Sequence, residues 1–258
     1  MNELIKILRD LNVYLQYVRE NKQFTIYRDK SKWEEVTEIV ETGGFKSAEG
    51  EIVVREVQEG LIFEKWKSSG SLEILESEIN QCQKCSLGQT RNKFVFGSGN
   101  PNAEVVVVGE APGADEDLQG MPFVGKAGKL LTDILKAINF QREEVYICNI
   151  LKCRPPNNRN PLPEEIEKCE PYLIKQLELI KPKMILAAGA FAGQTLLKNK
   201  EPLGKLRGKF HNLKIGDIQI KVLVTFHPAA LLRNPNWKYP TWEDVKLFRK
   251  EYDKIKNS

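Results

Sequence analysis

From Ala103 onward the chain alternates short, unbroken apolar runs with longer amphipathic stretches. "EVVVVG" (104–109), "VYICNI" (145–150), "KMILAAG" (183–189) and "IKVLVTF" (220–226) have no polar face, as expected of strands covered on both sides. Between and after them, apolar residues recur at helical spacing over 126–138, 163–180, 190–197 and 241–255. Strand and helix in strict alternation specify an α/β fold, a three-layer αβα sandwich around a central, mainly parallel sheet. In such sheets functional groups gather beyond the carboxyl ends of the strands. The residues just past each apolar run are therefore the informative part of the sequence.

The first 70 residues have a different pattern. Leu4, Ile7, Leu8, Leu11, Leu15 and Val18 mark a helix over 1–20, and Ser31 is a suitable N-cap for a second through Trp33, Val36, Ile39 and Val40, ending at Gly43-Gly44. Residues 45–70 read as a short hairpin or a connection, leading to a helix that starts near Ser71. The expected organisation is a small helical appendage over 1–70, with no assignable role, and a main domain over 71–258. Charge divides the same way, with 11 Lys and Arg against 13 Asp and Glu up to Gly70, and 28 against 22 thereafter. The basic excess lies with the main domain, where it permits nucleic-acid binding without demanding it. No run is long enough to span a membrane, and the N-terminus lacks a signal-peptide pattern, so a cytoplasmic protein without a membrane partner is expected.

In that setting cysteines stay reduced and free to bind metal. Cys82 and Cys85 stand in "CQKC", while Cys153 and Cys169 bracket "RPPNNRNPLPEEIEK". Two thiolates spaced C-x-x-C can face one centre, and a distant second pair completes four ligands. With His211 and His227 the only histidines, a zinc site rich in imidazole is excluded; all-cysteine ligation leaves zinc or iron–sulfur, and spacing does not choose. Cys148, inside an apolar run, reads as a core thiol. The Pro- and Asn-rich loop between Cys153 and Cys169 cannot order itself, so tethering both its ends gives the metal a structural role.

The strand ends supply the candidate chemistry. "EVVVVG" runs into "EAPGADED", "VYICNI" carries Asn149 near its end, and "IKVLVTF" stops at His227-Pro228. An acid, an amide and an imidazole thus fall on one rim. "GMPFVGKA" has the glycines and lysine of a Walker phosphate loop, but Ala127 replaces the magnesium-binding hydroxyl residue and the segment does not directly succeed its strand, which argues against nucleotide hydrolysis.

Together, "GEAPGADEDLQGMPFVGKAGKLL", "NILKCRPPNNRNPLP", "HPAALLRNP" and the four cysteines resemble the family 4 uracil-DNA glycosylases, in order and at matching spacing over roughly residues 72–255. The first 70 residues depart from the family's usual extent. The resemblance implies a uracil-DNA glycosylase-like fold, a structural 4Fe-4S cluster on Cys82, Cys85, Cys153 and Cys169 (zinc being the alternative), and a monomeric enzyme acting on uracil in single- or double-stranded DNA.

It also implies roles for single residues. Phe123 would stack on the base, with Ala111 and Pro112 lining the pocket. Asn149 would pair with uracil O4 and N3–H, a pattern cytosine reverses. His227 would donate to uracil O2, and Glu110 would orient water or favour a cationic sugar, with Glu116 and Asp117 as lesser candidates. Leu231 and Leu232 would fill the gap left by a flipped nucleotide, next to Arg233 on a phosphate. Lys205, Arg207 and Lys209 would form a second phosphate-contacting loop, and Arg154 and Arg159 a third, while His211 stays structural. The expected reaction is hydrolysis of the N-glycosidic bond to leave an abasic site. The rival from another class is an iron–sulfur protein that binds uracil or damaged bases with little turnover.

Overall fold

A computed structural model of the chain describes residues 64–257. The two helices expected within 1–44, and most of the hairpin or connection expected over 45–70, lie outside the described residues. Within Glu64 to Ser69, Trp66 packs edge-on against Tyr172, ring centroids 4.8 Å apart. Trp66 thereby joins the main core.

The first helix, α1 (Leu72–Ile79), starts where Ser71 caps it, the serine oxygen accepting from Ile74 N–H at 3.3 Å. A single turn comes next, α2 (Leu87–Thr90), and then the sheet: β1 (Ser98–Gly99), β2 (Val105–Gly109), β3 (Tyr146–Asn149), β4 (Met184–Ala188), β5 (Phe210–Ile215) and β6 (Ile218–Thr225). The strand order is β1-β3-β2-β4-β6-β5. The inner four strands are parallel, and the two edge strands run antiparallel to their neighbours.

Alternation along the strands splits the core in two. Val106 and Val108 face the layer made by α1, α5 (Pro163–Ile180) and α6 (Ala190–Leu197). Val105 and Val107 face α4 (Lys126–Ala137) and the closing helix α9 (Lys238–Lys256). Both faces are covered, which is why these strands needed no polar side. Three shorter helices complete the set: α3 (Ala114–Gln119) after β2, α7 (Leu203–Leu206) before β5, and α8 (Pro228–Arg233) after β6.

The path of the chain places the site. After β2 it passes through α4 to β3 on one side, then returns through α5 to β4 on the other. Loops diverge at the C-terminal ends of β2 and β4, forming the crevice at which α/β sheets bind ligands. Among the described residues no helix is long and apolar enough to cross a membrane.

Candidate active site

Four strand ends meet at this crevice. Gly109 closes β2, and a Cβ there would overlap Asn149 Oδ1 and stand 2.6 Å from the Phe123 ring. Only glycine lets the amide and the aromatic ring converge. Phe123 in turn lies against His227, ring centroids 5.4 Å apart and planes 29° from parallel. A Cβ on Gly189, after β4, would stand 3.2 Å from the Cβ of His227. Glu110 is the residue after Gly109, and its carbonyl accepts from Leu151 N–H at 3.0 Å, which carries the β2–β3 pairing past the strand ends. The amide and the imidazole singled out in the sequence thus both border the Phe123 ring, and Glu110 follows Gly109 in the chain.

Their electrostatics differ. Asn149 is 2% exposed, and its Oδ1 is buried without a hydrogen-bond partner. A buried acceptor left unpaired costs roughly 1–3 kcal/mol, so the arrangement is suited to a ligand that brings a donor. His227 Nδ1 accepts from Ala229 N–H at 3.2 Å in the first turn of α8. That bond places the ring's proton on Nε2. Burial, reinforced by the Arg233 charge, lowers the imidazole to about 4, so it is a neutral donor at ordinary pH. Glu110 goes the other way: burial raises its carboxyl above the usual range, against the pull of Arg233.

Phe123 is held in an unusual pose. It has φ +53°, a left-handed conformation that is costly for a bulky residue. Gly128, in the first turn of α4, admits it; any Cβ there would overlap the Phe123 carbonyl. Glu116 supplies the restraint, its Oε1 accepting from Val124 and Gly125 N–H (3.0 and 3.1 Å) and its Oε2 from Gly113 N–H at 3.1 Å. Asp117, 2% exposed, is taken up by the backbone and side-chain amides of Asn92. Both acids, the lesser candidates for activating water, are taken up by amides instead, Glu116 in the Phe123 loop and Asp117 at Asn92.

Relatives decide the family. A model of the uracil DNA glycosylase superfamily matches residues 96–246. A type-4 uracil-DNA glycosylase of Archaeoglobus fulgidus is 47% identical over 180 residues, covering 68% of this chain and 90% of that protein. The chain belongs to the type-4 uracil-DNA glycosylases. A relative of the same type from Saccharolobus solfataricus is 45% identical over 181 residues (68% of this chain, 84% of the relative), and one from Thermotoga maritima 45% over 164 (63% and 84%).

For a type-4 glycosylase, the residues expected to face DNA are unevenly placed. Leu231 is 1% exposed and belongs to the core, so the pairing of both leucines as a wedge is corrected: only Leu232, 47% exposed, stands free beside exposed Arg233. Arg207 also has another task. It pairs with Asp244 (2.8 and 3.0 Å), donates to the Pro240 carbonyl, and lies over the Phe226 ring. Asp244 also accepts from Thr225 at the end of β6, so the group fastens α9 just before His227. Lys205 and Lys209 remain exposed. Arg154 donates to Asn158 in its own loop, and Arg159 to Glu165 in the first turn of α5. His211 contacts the Leu206 carbonyl at 2.8 Å, a structural position.

Arg207→Ala leaves Asp244 buried without its cation, at a cost on the order of 3 kcal/mol. Thermal unfolding is expected to fall by about 6–12 °C, with DNA affinity at room temperature little changed. An unchanged melting temperature with weakened DNA binding would restore the phosphate-contacting role.

The four cysteines border one corner of the domain, each free of a disulfide. Three of their sulfurs receive donors: Cys82 from Tyr172 O–H (3.3 Å), Cys153 from Arg91 (3.4 Å) and Cys169 from Lys152 N–H (3.3 Å). Burial pushes the Cys153 thiol up to about 11 and the Cys169 thiol up to about 12, so without a bound cation both are protonated at neutral pH. Among the described residues no three His, Cys, Asp or Glu side chains are drawn together as a single metal ion requires.

Proposed function

We propose that this protein excises uracil from DNA by hydrolysis, with Asn149 reading the base, Phe123 stacking on it, His227 receiving the developing negative charge and Glu110 attending the sugar. The observation that carries this reading is the buried, unpartnered Oδ1 of Asn149, set at a crevice beside a neutral imidazole donor. A nucleotide flipped into the crevice would offer N3–H to that oxygen and O4 to the amide nitrogen. Cytosine offers the opposite pair.

As the C1′–N1 bond lengthens, its electron pair moves onto the uracil ring and charge builds at O2. The Nε2–H of His227 is aligned before the charge arrives, which is the economical form of such stabilisation. Glu110, partly buried, favours the cationic sugar and accepts a proton from the water whose oxygen bonds to C1′. Leu232 would enter the space left in the duplex, with Arg233, Lys205 and Lys209 on phosphates. A neighbouring loop must then be held in place, and the cysteines suit that task. We assign them a structural 4Fe-4S cluster, which supplies rigidity and no redox step. Cys82, Cys85, Cys153 and Cys169 would hold it, and the hydrogen-bond donors on three of those sulfurs suit the outer contacts of such a cluster.

The test uses protein purified without oxygen, a uracil-containing oligonucleotide, and alkali afterwards. Cleavage at uracil only after alkali is expected; intact strands would favour a binding protein with little turnover. Absorbance near about 400 nm would support iron–sulfur over colourless zinc.

Gly109→Ala tests the convergence itself. With its methyl on Asn149 Oδ1 and the Phe123 ring, the variant should lose uracil release by about 100-fold or more, a misplacement of roughly 1 Å being enough, while circular dichroism stays native. Near-normal turnover would show that the two groups need not meet there.

A further inference from the structure

Lys152 is fully buried between the base-reading strand and the cysteine corner. Its Nζ donates to the Asn149 carbonyl at 2.9 Å and to Gln176 Oε1 at 2.6 Å. Gln176, on α5 and fully buried too, is itself fixed, its amide donating to the Phe96 carbonyl (3.0 Å) and the Tyr146 hydroxyl (3.2 Å). The lysine backbone is as firmly placed: its N–H reaches Cys169 Sγ, its carbonyl accepts from Val95 N–H at 2.8 Å, and Cys153 is the next residue.

Burying an amine is expensive unless its hydrogen bonds are answered. Both Nζ partners are neutral oxygens. A methionine or leucine would fill this space without any such cost, so the amine calls for a reason beyond packing. Its geometry provides one: the Nζ bond closes Asn149 to Lys152 into a tight loop and fixes the peptide from which the Asn149 carboxamide projects.

We infer that Lys152 is a positioning residue, which orients the base-reading amide of Asn149 and joins it through one side chain to the loop carrying Cys153. The inference rests on the reading of Asn149 given above. Recognition by two simultaneous hydrogen bonds tolerates little tilt of that amide, and a shift of about 1 Å can cost 100-fold.

Lys152→Met keeps the length and removes the donor. The variant is to be compared with wild type for kcat/KM on a uracil oligonucleotide, inhibition by free uracil, affinity for an abasic oligonucleotide, and visible absorbance. The expected result is a loss of about 10- to 100-fold in both kcat/KM and uracil inhibition, with abasic-DNA affinity within about twofold. Combined with Asn149→Ala, the lysine change should add almost nothing, as two residues acting on one contact do. Unchanged uracil inhibition, or losses that simply multiply, would overturn the assignment. Should Lys152→Met not accumulate folded, Gln176→Met frees the amine from its second partner and should give the same pattern more weakly; normal uracil inhibition there would also overturn it. Wild-type protein that fails to release uracil would instead sink the glycosylase reading, and colourless wild type the cluster.

Discussion

Asn149→Asp is expected to lose uracil release by about 10³- to 10⁴-fold and to gain measurable release of cytosine. The amide is 2% exposed and its oxygen lacks a partner, so nearly all its hydrogen-bonding capacity is available to the base. An aspartate in this enclosed position has its pKa raised and holds a proton. The protonated acid donates to cytosine N3 and accepts from its N4 amine, whereas toward uracil it offers an acceptor for N3–H and no amide donor aligned with O4. Paired oligonucleotides carrying uracil or cytosine at one position, cleaved with alkali, measure the ratio directly. A variant that loses uracil release and still rejects cytosine completely would show that discrimination lies elsewhere.

His227→Ala should slow base release by about 10²- to 10³-fold while leaving DNA affinity nearly unchanged, the effect of removing one preorganised donor to a developing anion. Single-turnover rates and binding to an uncleavable analogue separate the two; equal losses in both would refute the role. Acidity offers a second handle. The folded imidazole sits at about 4 against an ordinary 6.5, so in between the unfolded chain takes up a proton that the native protein refuses. This residue's share of stability is therefore complete above about 6.5 and is lost as pH falls toward 4, a slope that His227→Ala should lack. Catalysis should show no inflection at the ordinary histidine value. Its acid limb is expected to belong to Glu110, whose carboxyl protonates at higher pH than a free one, and to vanish in Glu110→Gln.

The inner strands were legible because covering both faces leaves short, β-branched apolar runs with helical stretches between them, and α5 was bounded to the residue by its leading proline and amphipathic run. The edge strand β5 was not. "FHNLKI" has one well-buried residue, Ile215, and its mix of polar and half-buried positions reads as a loop. The two-residue β1 and the short helices α3 and α8 lack the length for periodicity to register. At the site, the positions after the strands announced Glu110, Asn149 and His227. Which way a side chain turns was invisible: Leu231 and Leu232 are adjacent and alike in type, yet only the fold sends one into the core. Arg207 resembled its exposed neighbours until Asp244, distant in sequence, came to face it. Gly109 and Lys152 went unnoticed, although a glycine ending an apolar strand and a lysine embedded in "NILKC" each break the local pattern.

Glu116 grips amides on both sides of the loop that begins at Pro112 and ends past Phe123. Aperture and stacking surface are therefore set by a single fastening, and neither can be widened alone. A lineage drifting toward bulkier lesions would have to loosen that carboxylate first, with the aromatic ring free to move only afterwards.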